Sequence, residues 1–195
     1  MKILLLIIGL ISCGAVYGQD VQCPFGEYRS INKSGQCVWN SIENLAHYNG
    51  ETKLYNITNE DPRCQGGASP GSVVPVLNSY KIKFKQTTNR KEGLQLIKEA
   101  MADGRAALFS IPGHAMNVIH FDEDSNRVIY VNNNAPRSNQ TITVDKFLTM
   151  WDGWVLVIYP DSYNKKIKPW VSHRKINAWY YAPDGIKYYG KNGAI

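Results

Sequence analysis

The sequence predicts an α+β domain, and three observations carry that prediction. The front of the chain repeats apolar residues at helical spacing. Further on, it breaks into short apolar runs of strand length. Clusters of Gly, Asn, Asp, Ser and Pro separate the segments. The 195 residues suffice for one domain with a real core.

Taken in order, the elements follow from local pattern. After a Gly-, Ser- and Asn-rich loop from Pro24 to Ser34, Val38, Ile42, Leu45 and Ala46 recur at helical spacing, and Asn49-Gly50 is a stop signal. The spacing predicts a buried helix over 38–47, with Cys37 in or just before its first turn. Residues 51–72 look irregular, and GGASPG at 66–71 is the clearest turn cluster. Ser72 is a candidate cap for a short helix ending at Tyr80. Lys81-Ile82-Lys83-Phe84-Lys85 alternates strictly and predicts a half-exposed strand. Leu94, Ile97 and Met101 share one side of a helix from Arg90 to Asp103, stopped at Gly104. Apolar runs then predict strands at 106–111 and 115–121, a hairpin turn over 122–126, and an answering strand at 127–131. A brief strand at 141–144, a helical turn at 146–150 and a last strand at 154–159 complete the domain. No internal repeat or low-complexity tract interrupts it.

The two ends have a different character. Met1-Lys2, the apolar run Ile3 to Ile11 and the small residues up to Gly18 have the pattern of a secretory signal peptide, with cleavage expected after Gly18. Leu10-Ile11-Ser12-Cys13 is the rival, a lipobox that would leave the protein anchored through a lipidated Cys13. Both place the mature chain outside the cytoplasm, secreted, periplasmic or extracellular. Residues 160–195 hold seven Lys or Arg against two Asp, a net of +5, whereas residues 19–159 hold fourteen charges of each sign and are neutral. The chain therefore divides into a signal peptide (1–18), a main domain (19–159) and a basic extension (160–195). That extension also carries two Trp and five Tyr from Tyr163 onward. Basic residues with aromatics suit an anionic or glycan surface such as a cell-wall polymer, or simply a solvated tail whose rings pack back on the domain. There is no clear nucleic-acid motif. The sequons at Asn32, Asn56 and Asn139 matter only in a eukaryotic secretory route.

Three cysteines follow Gly18: Cys23, Cys37 and Cys64. An odd number in an oxidising compartment suggests one bridge and one free thiol. The economical pairing is Cys23 with Cys64, leaving Cys37 free, although Cys37 bridged to either neighbour stays open. A free thiol at the start of a helix has a chemical use. The unpaired N–H groups and the dipole there favour thiolate, and a nearby imidazolium favours it further. The imidazole candidate is His114, where Pro112-Gly113 feeds an apolar strand. If strands 115–121 and 127–131 pair across their turn, Asn132-Asn133-Asn134 returns beside His114. Asn132 is then positioned to orient the ring. Each feature alone has a plain structural explanation: a buried small hydrophobe, a loop histidine, a turn-forming Asn run. Their joint order along the chain is what points to a site. Zinc is the other chemistry to consider, but His47, His114, His120, His173 and the cysteines contain no close-spaced ligand pair. No metal or cofactor is expected.

With those residues in place, the chain resembles the papain-like cysteine peptidase superfamily, and within it the compact C39-like branch. The likeness rests on Cys37, His114 and Asn132 in that order, on SPGSVVPVLNSY (69–80) as the second helix region, and on GHAMNVIHFDEDSNRVIYVNNN (113–134) as the His hairpin. It covers about residues 30–159. The resemblance implies a papain-like fold, with N-terminal helices packed on a mostly antiparallel sheet. It also implies a Cys-His-Asn peptidase acting on a peptide or protein substrate. One departure stands out. The family commonly has a Gln five or six residues before the nucleophile to complete the oxyanion hole, and here those positions are Asn32 and Ile31. Asn32 is the first candidate for that role and Gln36 the second. Trp39 either lines the pocket floor or belongs to the buried face of its helix. Two further classes compete with a peptidase: a catalytically inactive binding protein on the same scaffold, and a purely structural secreted domain.

Overall fold

The computed structural model describes residues 35–135 and 139–160, together with the backbone of two strands at 177–181 and 187–191. Helix α1 (Cys37–Asn49) opens the described chain. It ends because Gly50 adopts a left-handed conformation (φ 79°) and returns its N–H to the Ala46 carbonyl, which a residue without a side chain does at least cost. Two 3₁₀ turns (Thr52–Leu54 and Pro62–Cys64) flank the short helix α2 (Ile57–Glu60), so the stretch expected to be irregular is a series of single turns. Helix α3 (Pro70–Ser79) is capped by Ser69, not Ser72. Pro70 sits at the first helical position, where its missing N–H costs nothing, and Ser72 returns the bond to the Ser69 backbone in a reciprocal box.

Strand β1 (Phe84–Thr87) begins later than the alternating lysines suggest. Lys81 takes a positive φ of 56° as α3 ends, and the Ile82 N–H is spent on the Leu77 carbonyl. Only from Phe84 does a partner strand lie alongside. Helix α4 (Arg90–Ala102) is capped by the Asn89 side chain, and strands β2 (Ala107–Ile111), β3 (His114–Asp122), β4 (Arg127–Val131) and β5 (Asn139–Ile142) follow. Helix α5 (Val144–Met150), capped by Thr143, and strand β6 (Val155–Ile158) close the domain. The sheet order is β1-β6-β2-β3-β4-β5, and every neighbouring pair is antiparallel. Strands β7 (Asn177–Tyr181) and β8 (Lys187–Lys191) pair with each other in a separate hairpin. This is the α+β, papain-like architecture that the sequence predicts. Among the described residues no helix is long and apolar enough to cross a membrane.

The sheet is covered on both faces, which explains why β6 is apolar throughout and β2 is apolar but for Ser110, instead of alternating. Leu108, Leu156 and Ile158 face α1 and α3 in one core with Ile42, Leu45 and Leu77. Phe109, Val155 and Val157 face α4 and α5 in a second core with Ile97, Met101 and Phe147. Gly93 of α4 is part of the second contact. A Cβ there would lie 2.8 Å from the Trp151 ring, whose indole is itself held by its N–H on the Trp154 carbonyl. Replacing a helical Gly with Ala normally stabilises. Gly93→Ala is instead expected to destabilise by roughly 1–3 kcal/mol, because the ring would have to leave its packed position. A urea titration of the two proteins checks the sign.

The expected Cys23–Cys64 bridge is overturned. Cys64 is a free thiol, fully buried in the core beneath α1. The turn that carries it is held by Asp61, which accepts from the Arg63 N–H and guanidinium and from the Tyr80 hydroxyl. That turn directs the thiol inward among apolar side chains, and burial pushes its pKa up to about 12. Cys23 lies outside the described residues, as do residues 1–18, expected to be a signal peptide, with Cys13 among them, and the side chains of the basic extension.

Candidate active site

The site forms where the start of α1 meets the start of β3. Gln36 occupies the cap position of α1 but makes no side-chain bond to the first turn. The first-turn N–H groups, which have no intrahelical acceptor, are therefore left to whatever sits at Cys37. His114 is the first residue of β3, paired with Ile111 across the two-residue turn Pro112-Gly113. Gly113 has φ +79°, and a Cβ on it would touch nothing within 4 Å. Glycine is required there by conformation alone. The tight turn fixes the direction in which His114 leaves the sheet.

Asn132 follows β4 directly, in a turn closed by the Ala135 N–H on its carbonyl (2.8 Å). Its Oδ1 lies 2.9 Å from His114 Nε2 and accepts from the Asn134 backbone N–H at 2.9 Å. The second contact settles the first. A backbone N–H can only donate, so the atom it meets is the amide oxygen, and Nε2 must carry the proton it shares with that oxygen. The other ring nitrogen, Nδ1, is thereby left for the thiol.

Cys37 is half-buried and its thiol is held below the ordinary value. The largest cause is the hydrogen bond with His114; the Ala115 and Val38 N–H groups and the imidazolium charge add to it, and burial opposes it. His114 moves the opposite way. Its pKa is raised first by the bond to Cys37 and then by the bond to Asn132, again against burial. The two directions agree: this environment favours a thiolate beside an imidazolium.

Sequence reasoning singled out Asn132 from the Asn run but gave no role to its neighbour. Asn133 is fully buried, and its Nδ2 donates to the Cys37 carbonyl (2.7 Å), to Ser41 Oγ (3.1 Å) and to the Ala115 carbonyl (3.1 Å). Ser41 Oγ donates to the same Ala115 carbonyl (3.0 Å), and Asn117 Nδ2 donates to the Ser41 carbonyl (2.9 Å). The one available signal was the Asn run itself, since consecutive residues leaving a strand present side chains in different directions.

Of the two oxyanion candidates, Asn32 lies outside the described residues. Gln36 is buried, and its Nε2 donates to Gln65 Oε1 at 2.7 Å, while Gln65 Nε2 donates to the Thr58 carbonyl at 2.7 Å. The Thr58 carbonyl fixes the Gln65 amide and so fixes which end of Gln36 faces it. Trp39 belongs to the core beneath the site. Among the described residues no three His, Cys, Asp or Glu side chains gather as a metal site would need.

No family model and no curated protein sequence matches the chain. Solved structures do. The chain is similar to a double glycine motif protease from an AMS/PCAT transporter, solved in complex with the leader peptide, with 12% identity and a TM-score of 0.50 over 73% of this chain and 94% of that one. The fold is that of C39-like peptidase domains. Further similar structures are the N-terminal peptidase C39-like domain of the toxin secretion ATP-binding protein from Vibrio parahaemolyticus (13% identity, TM-score 0.47, 64% of this chain and 97% of that one) and the peptidase domain of Streptococcus ComA (11%, 0.47, 74% and 100%). At 12% identity the first of these likenesses shows a shared fold and nothing finer.

Proposed function

We propose that the chain is a cysteine peptidase, a thiol acyl-transfer hydrolase of peptide bonds, with Cys37 as nucleophile, His114 as general acid and base, and Asn132 as the residue that orients the imidazole. The observation that carries this reading is the Asn134 N–H on Asn132 Oδ1, which commits His114 Nε2 to donate and turns Nδ1 to Cys37. A peptide substrate is further supported by the leader peptide bound to one domain of the same fold.

In the reaction the Cys37 thiolate attacks the scissile carbonyl carbon, and the carbonyl oxygen takes the negative charge. The C–N bond then breaks as the His114 imidazolium gives its Nδ1 proton to the departing amine, leaving a thioester on Cys37. Water loses a proton to the now neutral His114 and attacks the thioester carbon. The C–S bond breaks, which returns thiolate and imidazolium and releases the carboxylic acid. The oxyanion is met by the Cys37 backbone N–H and by a side-chain amide, for which Asn32 and Gln36 remain the candidates. One such donor is worth about 3 kcal/mol.

The test is alkylation of the folded protein with iodoacetamide at pH 6, located by mass spectrometry. Cys37 is expected to label fast while Cys64, buried and with its pKa pushed up to about 12, stays unlabelled as an internal control. A Cys37 as inert as Cys64 would overturn the peptidase and move the function to binding on an inactive scaffold.

A further inference from the structure

Resting on that peptidase reading, we infer that Asn133 is a positioning residue that sets the distance between the nucleophile and the imidazole. The nucleophile and the imidazole sit on different elements, one at the first residue of α1 and the other at the first residue of β3, with 76 positions between Ser41 and Asn117 where the same two elements are tied further along. The direct tie nearest to them is the Ser41 hydroxyl on the Ala115 carbonyl, one turn along α1 from Cys37, and it does not hold the Cys37 backbone. Asn133 does so from a third element. Its one amide nitrogen reaches the carbonyl of Cys37 itself and the carbonyl of Ala115, the residue after His114.

Ala115 is the pivot of this arrangement. Its N–H is directed at the Cys37 sulfur, where it helps hold the thiol's pKa down, and its carbonyl accepts from both Asn133 and Ser41. The N–H and the carbonyl belong to the two peptide planes that meet at the Ala115 Cα, so holding the carbonyl fixes one plane and limits how far the other can turn about that Cα. Asn133 therefore acts on the thiolate in two ways: through the place of the Cys37 backbone, and through the place of Ala115, the residue that follows His114 in β3. The amide is oriented without ambiguity, because two of its three partners are carbonyl oxygens that can only accept. Asn132 and Asn133 thus divide the work. One sets the angle of the imidazole and the other sets how far it stands from the sulfur.

The test compares Asn133→Ala with Asn49→Ala. Asn49 is also a buried amide, at the far end of the helix that begins with Cys37, bonded to the Ala106 and Ile158 carbonyls and to the Ala106 N–H. Both variants lose buried hydrogen bonds, but only the first loses the tie to Cys37. The readouts are the melting temperature, the pH profile of Cys37 alkylation and, on any peptide the wild type cleaves, kcat and KM separately. Asn133→Ala is expected to move the alkylation profile to higher pH, slowing the rate at pH 6 about ten-fold for every pH unit that the acid limb moves. Its kcat is expected to fall about 10²-fold, as a misplacement on the order of an ångström would cause, with KM little changed. Asn49→Ala is expected to melt lower with the wild-type alkylation profile. Should Asn133→Ala fail to fold, Ser41→Ala removes one arm of the same tie and is expected to move the profile in the same direction by less.

A wild-type chain that alkylates early, beside a folded Asn133→Ala variant with the same profile and kcat, would overturn the positioning role and leave the peptidase reading standing. The same holds for an unchanged Ser41→Ala profile if that variant has to serve. An inert Cys37 in the wild type would instead remove the peptidase reading on which the inference rests.

Discussion

His114→Ala is expected to slow peptide hydrolysis by about a thousand- to ten-thousand-fold and to abolish the alkylation of Cys37 below neutral pH. Both effects have one origin. The hydrogen bond with His114 is the largest influence lowering the Cys37 thiol, and burial is the largest one opposing it. Remove the imidazole, and burial is met only by the Ala115 and Val38 N–H groups, so the thiol rises. The working pH window follows from the two directions. Thiolate is present above the lowered pKa of Cys37, and imidazolium persists up to the raised pKa of His114. The reactive pair occupies the interval between them, and the rate of hydrolysis against pH should be bell-shaped with those limits. In the variant the acid limb of the alkylation profile should move to the range of an ordinary thiol. An unchanged profile would mean that the imidazole does nothing for the sulfur, and the proposed mechanism would fall with it.

Phe147→Ala is expected to cost about 3–5 kcal/mol, enough to unfold much of a domain whose whole stability is on the order of 5–15 kcal/mol. Phe147 has no exposed surface. Its ring centroid stands 5.0 Å from Phe109, 5.6 Å from Trp151 and 5.8 Å from Phe121, so it is the hub of the core behind the sheet. Arg90 adds to the same corner, with its guanidinium over the Trp151 ring and donating to the Trp151 and Leu148 carbonyls. Truncation leaves a cavity bounded by three rings that cannot close over it. A denaturant melt measures the loss. A change below about 1 kcal/mol would show that α5 is a surface appendage, contrary to the two-core organisation described above.

Much of the fold was legible because its elements carry their own signals. Val38, Ile42 and Leu45 mark the buried face of α1, Gly50 ends it, and the apolar runs of β2, β3, β4 and β6 lie within a residue or so of the expected limits. What was misplaced depended on a partner. The lysine-rich alternation before Phe84 has strand character, yet it becomes ladder only where β6 runs beside it. Ser72 could cap a helix by composition, and Ser69 does so because Pro70 begins the helix one turn earlier. The cysteine arithmetic failed for a similar reason. Pairing by count presumes that thiols are accessible to one another, and the Pro62–Cys64 turn buries this one in the core.

The sequence by itself determined the order of chemistry along the chain: a thiol at a helix start, an imidazole after a Pro-Gly turn, and an amide run at the end of the next strand. These are local facts, set by helix periodicity, turn residues and strand length. Only the tertiary structure decided which amide does what. A bulge in β3 between Val118 and His120 shifts its register with β4 by one residue, so Asn117 pairs with Val131. Carried forward, that register sets Ala115 opposite Asn133, whose side chain then goes inward to the Cys37 carbonyl while Asn132 turns to the His114 ring. In the unshifted register Asn134 would stand opposite Ala115. Adjacent residues in a strand face opposite ways, so a one-residue slip exchanges their surroundings, and no local pattern records it.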